Sequence, residues 1–159
     1  MRLRELFAYD SATGVLTRII TTSNRCPAGA RAGTLDRSTG YRKVNVDGRM
    51  YGEHVVIWCL VSGRWPMGLI DHRDGVRDRN VLENLRDGSR RLNQQNTRRA
   101  RSDSLSGLQG VHPAKNGRCY SKIRTADGKV KHLGTFDRPE QANAAYLAAK
   151  RELHEGCTV

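Results

Sequence analysis

The feature that most constrains the fold is a stretch rich in arginine and serine between residues 97 and 107, which has no periodic apolar pattern. Segments that pack on a core repeat apolar residues at regular intervals, whereas a polar stretch without such a period is typical of a linker. Only 37% of the 159 residues are hydrophobic, which is little for one large core. The sequence therefore predicts two small domains, residues 1–97 and 107–159, joined by a linker at 98–106.

The charge of the chain points to a polyanionic partner. Lysine and arginine number 28 against 16 acidic residues, a net charge of +12, and such an excess is typical of proteins that bind nucleic acid. RNA or anionic lipid would explain the same charge, so charge alone does not select the partner.

The lack of a membrane span or signal peptide and the pattern of cysteines favour an intracellular protein. No apolar run approaches the roughly 20 residues of a membrane span, and the N-terminus lacks the apolar segment of a signal peptide. We therefore expect a soluble, cytoplasmic protein with no membrane association.

The four cysteines form no Cys-x-x-Cys pair, which argues against a zinc ribbon and against a dense disulfide framework. They are Cys26, Cys59, Cys119 and Cys157.

The first 62 residues predict short strands and one apolar segment of undecided type. Asp10 and Gly14 lie where a hairpin turn needs them, and Asp47-Gly48 is a strong hairpin dipeptide after the strand that begins at Tyr41. Residues 20–40 are polar and predict a loop. Residues 53–62 are continuously apolar, and periodicity cannot distinguish a buried helix from a strand there.

The residues with the clearest chemistry are Asp71-His72, followed by Asn84 and Asn93 at 12 and 21 residues after His72. Nuclease chemistry needs a base that activates water and a divalent cation that neutralises the leaving oxyanion. An imidazole with a pKa of about 6.5 can serve as the base, and a carboxylate is an oxygen ligand that Mg²⁺ prefers. Taken singly, these residues could be ordinary turn and helix residues, and Asn96 is a rival to Asn93.

The sequence around these residues resembles the His-Asn-Asn subclass of the HNH endonucleases, found in phage and intron-borne enzymes. The resemblance covers about residues 50–97 and rests on the segments Leu69–Gly75, Asn80–Arg86 and Asn93–Asn96. It implies a ββα-metal core in which residues 53–62 form a helix that Gly63 ends. Leu69-Ile70 and Asn84-Leu85-Arg86 would form the two strands, and Ser89 would cap the helix that carries Asn93.

The same resemblance implies a role for each site residue. His72 is the expected general base, and Asn84 is expected to bond the backbone across the loop so that His72 points correctly. Asp71 and Asn93 would hold one Mg²⁺, for which Mn²⁺ can substitute. His54 would contact the nucleic acid or satisfy a buried donor, with the second alternative ahead, and Asn80 would be a turn residue.

Arginines near this motif form a basic stretch that ordinarily would be a solvated face. Because it adjoins the site, it could also neutralise phosphates on both sides of a cleavage point. Its members are Arg86, Arg90, Arg91, Arg98, Arg99 and Arg101.

The second domain predicts three strands and one helix. Strands are expected at Gly110-Val111, from Arg118 to Thr125 and from Lys129 to Phe136, before a helix capped by Asp137. An apolar stripe runs along that helix at Ala142, Ala145, Tyr146, Ala149 and Leu153.

This pattern resembles the plant ethylene-response-factor type of DNA-binding domain over about residues 105–155. The residues that carry the resemblance are Gly110-Val111, the segment Leu133–Asp137 and the Ala-Ala-Tyr run of the helix, while Cys119 stands where that family usually has tryptophan. Strand alternation places one set of polar side chains on a single sheet face, which could be a DNA-binding or an ordinary solvent-facing surface. That set is Arg118, Tyr120, Lys122 and Arg124, which His132 extends.

These observations together predict an α+β protein that hydrolyses double-stranded DNA as a phage or homing endonuclease, with nicking preferred because the chain carries one catalytic centre. No obligate protein partner is inferred. Two alternatives stay open: a catalytically inactive DNA-binding regulator, and a basic RNA-binding protein.

Overall fold

The computed structural model describes residues 2–158, apart from the side chain of Asn116, and the chain forms two compact units that divide between Ser89 and Arg90. Helices combine with small antiparallel sheets, in agreement with the α+β class. The predicted domain limits at 97 and 107 remain predictions. None of the helices in the described part of the chain is long and apolar enough to cross a membrane.

The first unit begins with a short helix and two small sheets. Asp47 and Gly48 adopt positive φ values of 47° and 86°, which confirms the predicted tight turn. In the first sheet β1 pairs with β2, and in the second the order is β3-β4-β5. The elements are α1 (Arg2–Leu6), β1 (Phe7–Asp10), β2 (Val15–Arg18), β3 (Thr34–Leu35), β4 (Arg42–Val46) and β5 (Arg49–Gly52).

The undecided apolar segment is a helix, α2 (Glu53–Ser62), which confirms the expectation drawn from the family resemblance. It ends at Gly63, whose φ of 74° only glycine adopts without strain and whose N–H donates to the Cys59 carbonyl. The buried face of α2 packs in a core with Leu16 and Val44. This core supports the hairpin that follows, β6 (Leu69–His72) and β7 (Leu85–Gly88).

The second unit consists of a three-stranded sheet, one long helix and a short helix before them. The sheet order is β10-β9-β8, and all pairs are antiparallel. Cys119, Ser121 and Ile123 are buried, while Lys122 and Arg124 are exposed, so the predicted alternation along β9 is confirmed. The elements are α3 (Arg90–Gln95), β8 (Val111–Pro113), β9 (Cys119–Arg124), β10 (Val130–Phe136) and α4 (Pro139–Leu153).

Two local expectations were wrong. Asp137 does not cap α4: the N-cap residue is Arg138, which makes no side-chain cap, and the Asp137 carboxylate instead pairs with Arg118 at 2.8 Å. Asn84 is not in the strand but ends a 3-10 turn, Leu82–Asn84, and β7 begins at Leu85. In both cases the polar side chain bonds a group outside the element to which the short-range pattern had assigned it.

Candidate active site and nucleic-acid interface

The β6–β7 hairpin carries the Asp-His pair at the end of its first strand. Asp71 pairs with Arg86 in the register, and His72 pairs with Leu85. Ile70 and Leu85 are part of the core of the first unit, which fixes the register because a shift by one residue would turn one of them away from the core. The chain therefore leaves the sheet directly after His72.

His72 lies in the interior of the first unit and is 2% exposed. Its Nε2 lies 2.9 Å from Oδ1 of Asn80, and its ring contacts the rings of His54 and Tyr41 at centroid distances of 5.2 and 5.8 Å. Burial lowers the pKa of His72 below its ordinary value of 6.5, although the Asn80 hydrogen bond acts in the opposite direction. The imidazole is therefore neutral at neutral pH, which is the form that can accept a proton.

Asp71 lies on the opposite face of the strand, because successive side chains alternate. Its Oδ2 accepts two hydrogen bonds from Arg86, from Nη2 at 2.8 Å and from Nε at 3.1 Å. Within the strand the carboxylate and the imidazole point apart, so a phosphate could meet both only at the end of the strand, where His72 is the last residue.

The carboxylate of Asp71 suits a divalent cation in chemical type. A carboxylate, with water and phosphate oxygens, is a ligand that Mg²⁺ accepts. Among residues 2–158, no three His, Cys, Asp or Glu side chains form a group that could hold a metal ion. A cation bound at Asp71 would compete with Arg86 for Oδ2. Asp71 fits the cation, provided that Arg86 releases that oxygen.

The side chain of Asn84 makes hydrogen bonds to the backbone of the loop that follows His72. Its Oδ1 accepts from the Asp74 N–H at 3.0 Å, and its Nδ2 donates to the Arg79 carbonyl at 2.9 Å. These are contacts with the backbone across the loop, of the kind expected for Asn84, while its effect on catalysis remains a prediction.

Asn80 and Glu53 were missed by sequence reasoning as site residues. Asn80 is 1% exposed and contacts His72, and its Nδ2 donates to Oε2 of Glu53, which is fully buried, at 3.3 Å. The signal in the sequence was weak: an amide eight residues after His72 is indistinguishable from the turn residue that was expected. Glu53 stood at the start of an apolar helix, where a carboxylate ordinarily favours the helix N-terminus.

His54 is half-buried and lies beside His72. Its ring packs against Tyr41 at 5.2 Å and against His72, and its Nδ1 is buried with no hydrogen-bond partner among the described residues. Burial first, and then the nearby His72, lower the pKa of His54 to about 4. Both roles expected for His54, a contact with nucleic acid and a bond to a buried donor, remain predictions.

Asn93, the expected second metal ligand, lies in α3 and therefore in the second unit. Its half-buried side chain contrasts with that of Asn96, which is buried and accepts from the Thr158 hydroxyl at 2.6 Å. Asn96 thus has a structural partner within the second unit. That Asn93 and Asp71 bind the same cation remains a prediction.

The arginines of the basic stretch differ in their contacts. Arg86 is engaged by Asp71, and Arg98 donates to the carbonyl and hydroxyl of Thr158. In the second unit, an open cavity of about 740 Å³ is lined in part by Arg99, Arg101 and Lys122. The exposed residues of the stretch are Arg90, Arg91, Arg98, Arg99 and Arg101.

The outer face of the β8–β10 sheet in the second unit carries a stack of rings beside basic side chains. Tyr120 lies between His112 and His132, with centroid distances of 5.1 and 5.8 Å, and the Lys122 ammonium lies 5.6 Å from the Tyr120 ring centre. Arg124 is exposed on the same face, whereas Arg118 pairs with Asp137. A cationic surface with flat rings can contact phosphates and bases.

The HNH endonuclease family model matches residues 51–95, which include α2, the β6–β7 hairpin and α3. The match supports a nuclease, an enzyme that hydrolyses phosphodiester bonds, with a nucleic acid as substrate and a divalent metal as the usual cofactor of such enzymes. No curated protein and no solved structure matches the chain.

Proposed function

We propose that this protein is a metal-dependent DNA endonuclease of the HNH type, in which His72 is the general base. The observation that carries the proposal is the buried imidazole of His72, oriented by Asn80 at the end of β6 and adjacent to Asp71. Because it lies within the residues that match the nuclease family, its chemistry and its context agree.

In the proposed reaction, His72 removes a proton from the water molecule that attacks phosphorus. Burial lowers the pKa of His72, so the neutral form is present at neutral pH. The Asn80 oxygen then stabilises the imidazolium that forms, because both ring nitrogens of a protonated imidazole are donors. Asn84 contributes by holding the loop from which Asn80 projects.

Asp71 and Asn93 would hold one Mg²⁺, with Mn²⁺ as an acceptable substitute. The bound cation supplies charge stabilisation at the scissile phosphate and at the leaving 3′ oxygen. Arg86 must release Oδ2 of Asp71 first, and a DNA phosphate offers its guanidinium an alternative anionic partner. The expected products carry 5′-phosphate and 3′-hydroxyl ends.

The second unit would hold double-stranded DNA through the outer sheet face. Its ring stack and basic side chains provide contacts to bases and phosphates, and such a tether raises the effective concentration of sites for the nuclease unit. We further propose a phage or homing enzyme that acts in the host cytoplasm and nicks one strand, since it has one catalytic centre. The proposed DNA contacts are Arg86, Arg90, Arg91, Arg98, Arg99, Arg118, Tyr120, Lys122, Arg124, His132 and, less directly, His54.

A plasmid assay tests the nuclease proposal. Supercoiled plasmid is incubated with the full chain while Mg²⁺ is titrated, and nicked, linear and supercoiled forms are separated. The wild-type protein should convert supercoiled to nicked DNA only when the cation is present. His72→Ala should abolish cleavage and bind DNA normally, whereas the control His154→Ala, outside the first unit, should cut at the wild-type rate. Cleavage by His72→Ala at that rate would refute the assignment of the base.

One observation favours a second candidate, a DNA-binding protein without nuclease activity. Arg86 occupies Oδ2 of Asp71 with two donors, and a permanent pair of this kind would exclude the cation. A wild-type chain that binds duplex DNA in preference to RNA but leaves plasmid supercoiled at every Mg²⁺ concentration would select this alternative.

A further inference from the structure

Three buried polar side chains form a hydrogen-bond network that extends from α2 to the proposed base. Glu53 and Asn80 are joined by a hydrogen bond of 3.3 Å, and Asn80 and His72 by one of 2.9 Å. All three are at most 2% exposed, so water is excluded from the atoms that connect them. The carboxylate also pairs with Arg42, whose Nε lies 3.9 Å from Oε2.

When Glu53 is ionised, the donors and acceptors of this network can be assigned in only one way. A carboxylate accepts and cannot donate, so Asn80 must turn its NH₂ group toward Glu53. Its carbonyl oxygen then faces His72 and can only accept. The Nε2 atom of His72 must therefore carry the hydrogen, which leaves the lone pair of the neutral ring on Nδ1.

We infer that Glu53 and Asn80 are positioning residues that fix the tautomer and orientation of His72, so that Nδ1 is the basic atom of the site. Glu53 acts through Asn80 and touches neither substrate nor cation. The arrangement resembles in logic the carboxylate that orients a catalytic histidine in hydrolases, with a neutral amide inserted between the two groups. The inference deepens the proposed function, and only its kinetic consequence rests on that function.

This hydrogen-bond direction requires an ionised Glu53, and two opposing influences act on that carboxyl group. Burial is the larger influence and raises the pKa of Glu53, whereas the positive charges of Arg31 and Arg42 oppose that rise. When His72 takes a proton at Nδ1, its Nε2–H continues to donate to Asn80, so no side chain has to rotate during the step. The negative charge of Glu53, transmitted through the amide dipole, then stabilises the imidazolium.

The tautomer can be measured without DNA or metal. The full chain is labelled with ¹⁵N at histidine, and two-bond ¹H–¹⁵N correlations are recorded at a pH above the titration of the imidazoles. The His72 signals are identified by their absence in His72→Gln. In the wild-type protein, the shifts should show a protonated Nε2 and an unprotonated Nδ1.

The isosteric variant Glu53→Gln removes the constraint, because a glutamine can donate as well as accept. Asn80 can then adopt either amide orientation, and the Nε2–H tautomer of His72 should lose its dominance. The rate of plasmid cleavage should fall by roughly 10- to 100-fold with DNA affinity unchanged, the range usual for lost orienting partners. The matched control Glu5→Gln, an exposed glutamate of the same unit, should leave tautomer and rate unchanged.

The double variant Glu53→Gln/Asn80→Asp provides the rescue. It conserves the shapes and the net charge, and it again leaves one consistent direction. The amide introduced at position 53 donates to the carboxylate introduced at position 80, and that carboxylate accepts from His72. The Nε2–H tautomer should return, and so should most of the cleavage rate.

A wild-type His72 that carries its hydrogen on Nδ1 would overturn the inference, whatever the variants do. So would a Glu53→Gln protein that keeps the wild-type tautomer, or a folded double variant that fails to restore it. If the wild-type chain shows the expected tautomer but cuts no DNA, the nuclease proposal fails while the positioning inference stands.

Discussion

Replacing Asn84 by alanine should destabilise the first unit, since this side chain holds the loop between His72 and Asn80. Two hydrogen bonds are lost, from the Asp74 N–H to Oδ1 at 3.0 Å and from Nδ2 to the Arg79 carbonyl at 2.9 Å. Each such bond contributes about 0.5–1.5 kcal/mol net, so the free energy of unfolding should fall by about 1–3 kcal/mol. The upper half of that range applies because Asn84 is buried and water cannot easily replace it.

Urea unfolding followed by tryptophan fluorescence is the appropriate assay. Both tryptophans of the chain, Trp58 and Trp65, lie in the first unit, so the signal reports the unfolding of that unit. Asn45→Ala is the control, because Asn45 is exposed and accepts one hydrogen bond, from the Gly48 N–H. If Asn84→Ala loses no more stability than Asn45→Ala, the loop is not held by this side chain and the reasoning is refuted.

Two further predictions concern one unit each. The pKa of His54 is lowered from 6.5 to about 4, so between these values the unfolded chain binds more protons than the folded one. The stability of the first unit should therefore decrease as the pH falls from 6.5 to about 4, by up to about 3 kcal/mol; the same pH slope in His54→Gln would contradict the assignment. In the second unit, Gly110→Ala should cost about 2–4 kcal/mol, since Gly110 has φ 74° and its new Cβ would collide with the Tyr146 ring. Thermal unfolding followed by circular dichroism should show little change for Gly117→Ala, which has the same φ but open space; equal losses in the two variants would exclude the steric explanation.

The sequence by itself determined the features that depend on neighbours along the chain. Asp47-Gly48 specifies its turn because few residues tolerate two successive positive φ values. Alternation along residues 119–124 specifies which side chains of β9 are buried. The segments around His72 and Asn84 carry the resemblance to the HNH endonucleases. These are short-range constraints, and a linear pattern records them directly.

Only the tertiary structure decided which side chains surround the base. Glu53 and Asn80 are 27 residues apart, and nothing in the local pattern of either indicates that they share a hydrogen bond. Periodicity alone could not decide that residues 53–62 are helical for the same reason, because a continuous apolar run is compatible with either element until its packing partners are known. The burial of Glu53, Asn80 and His72 follows from how α2 and the β6–β7 hairpin pack on one core, and a buried polar side chain must bond whatever partner that packing supplies.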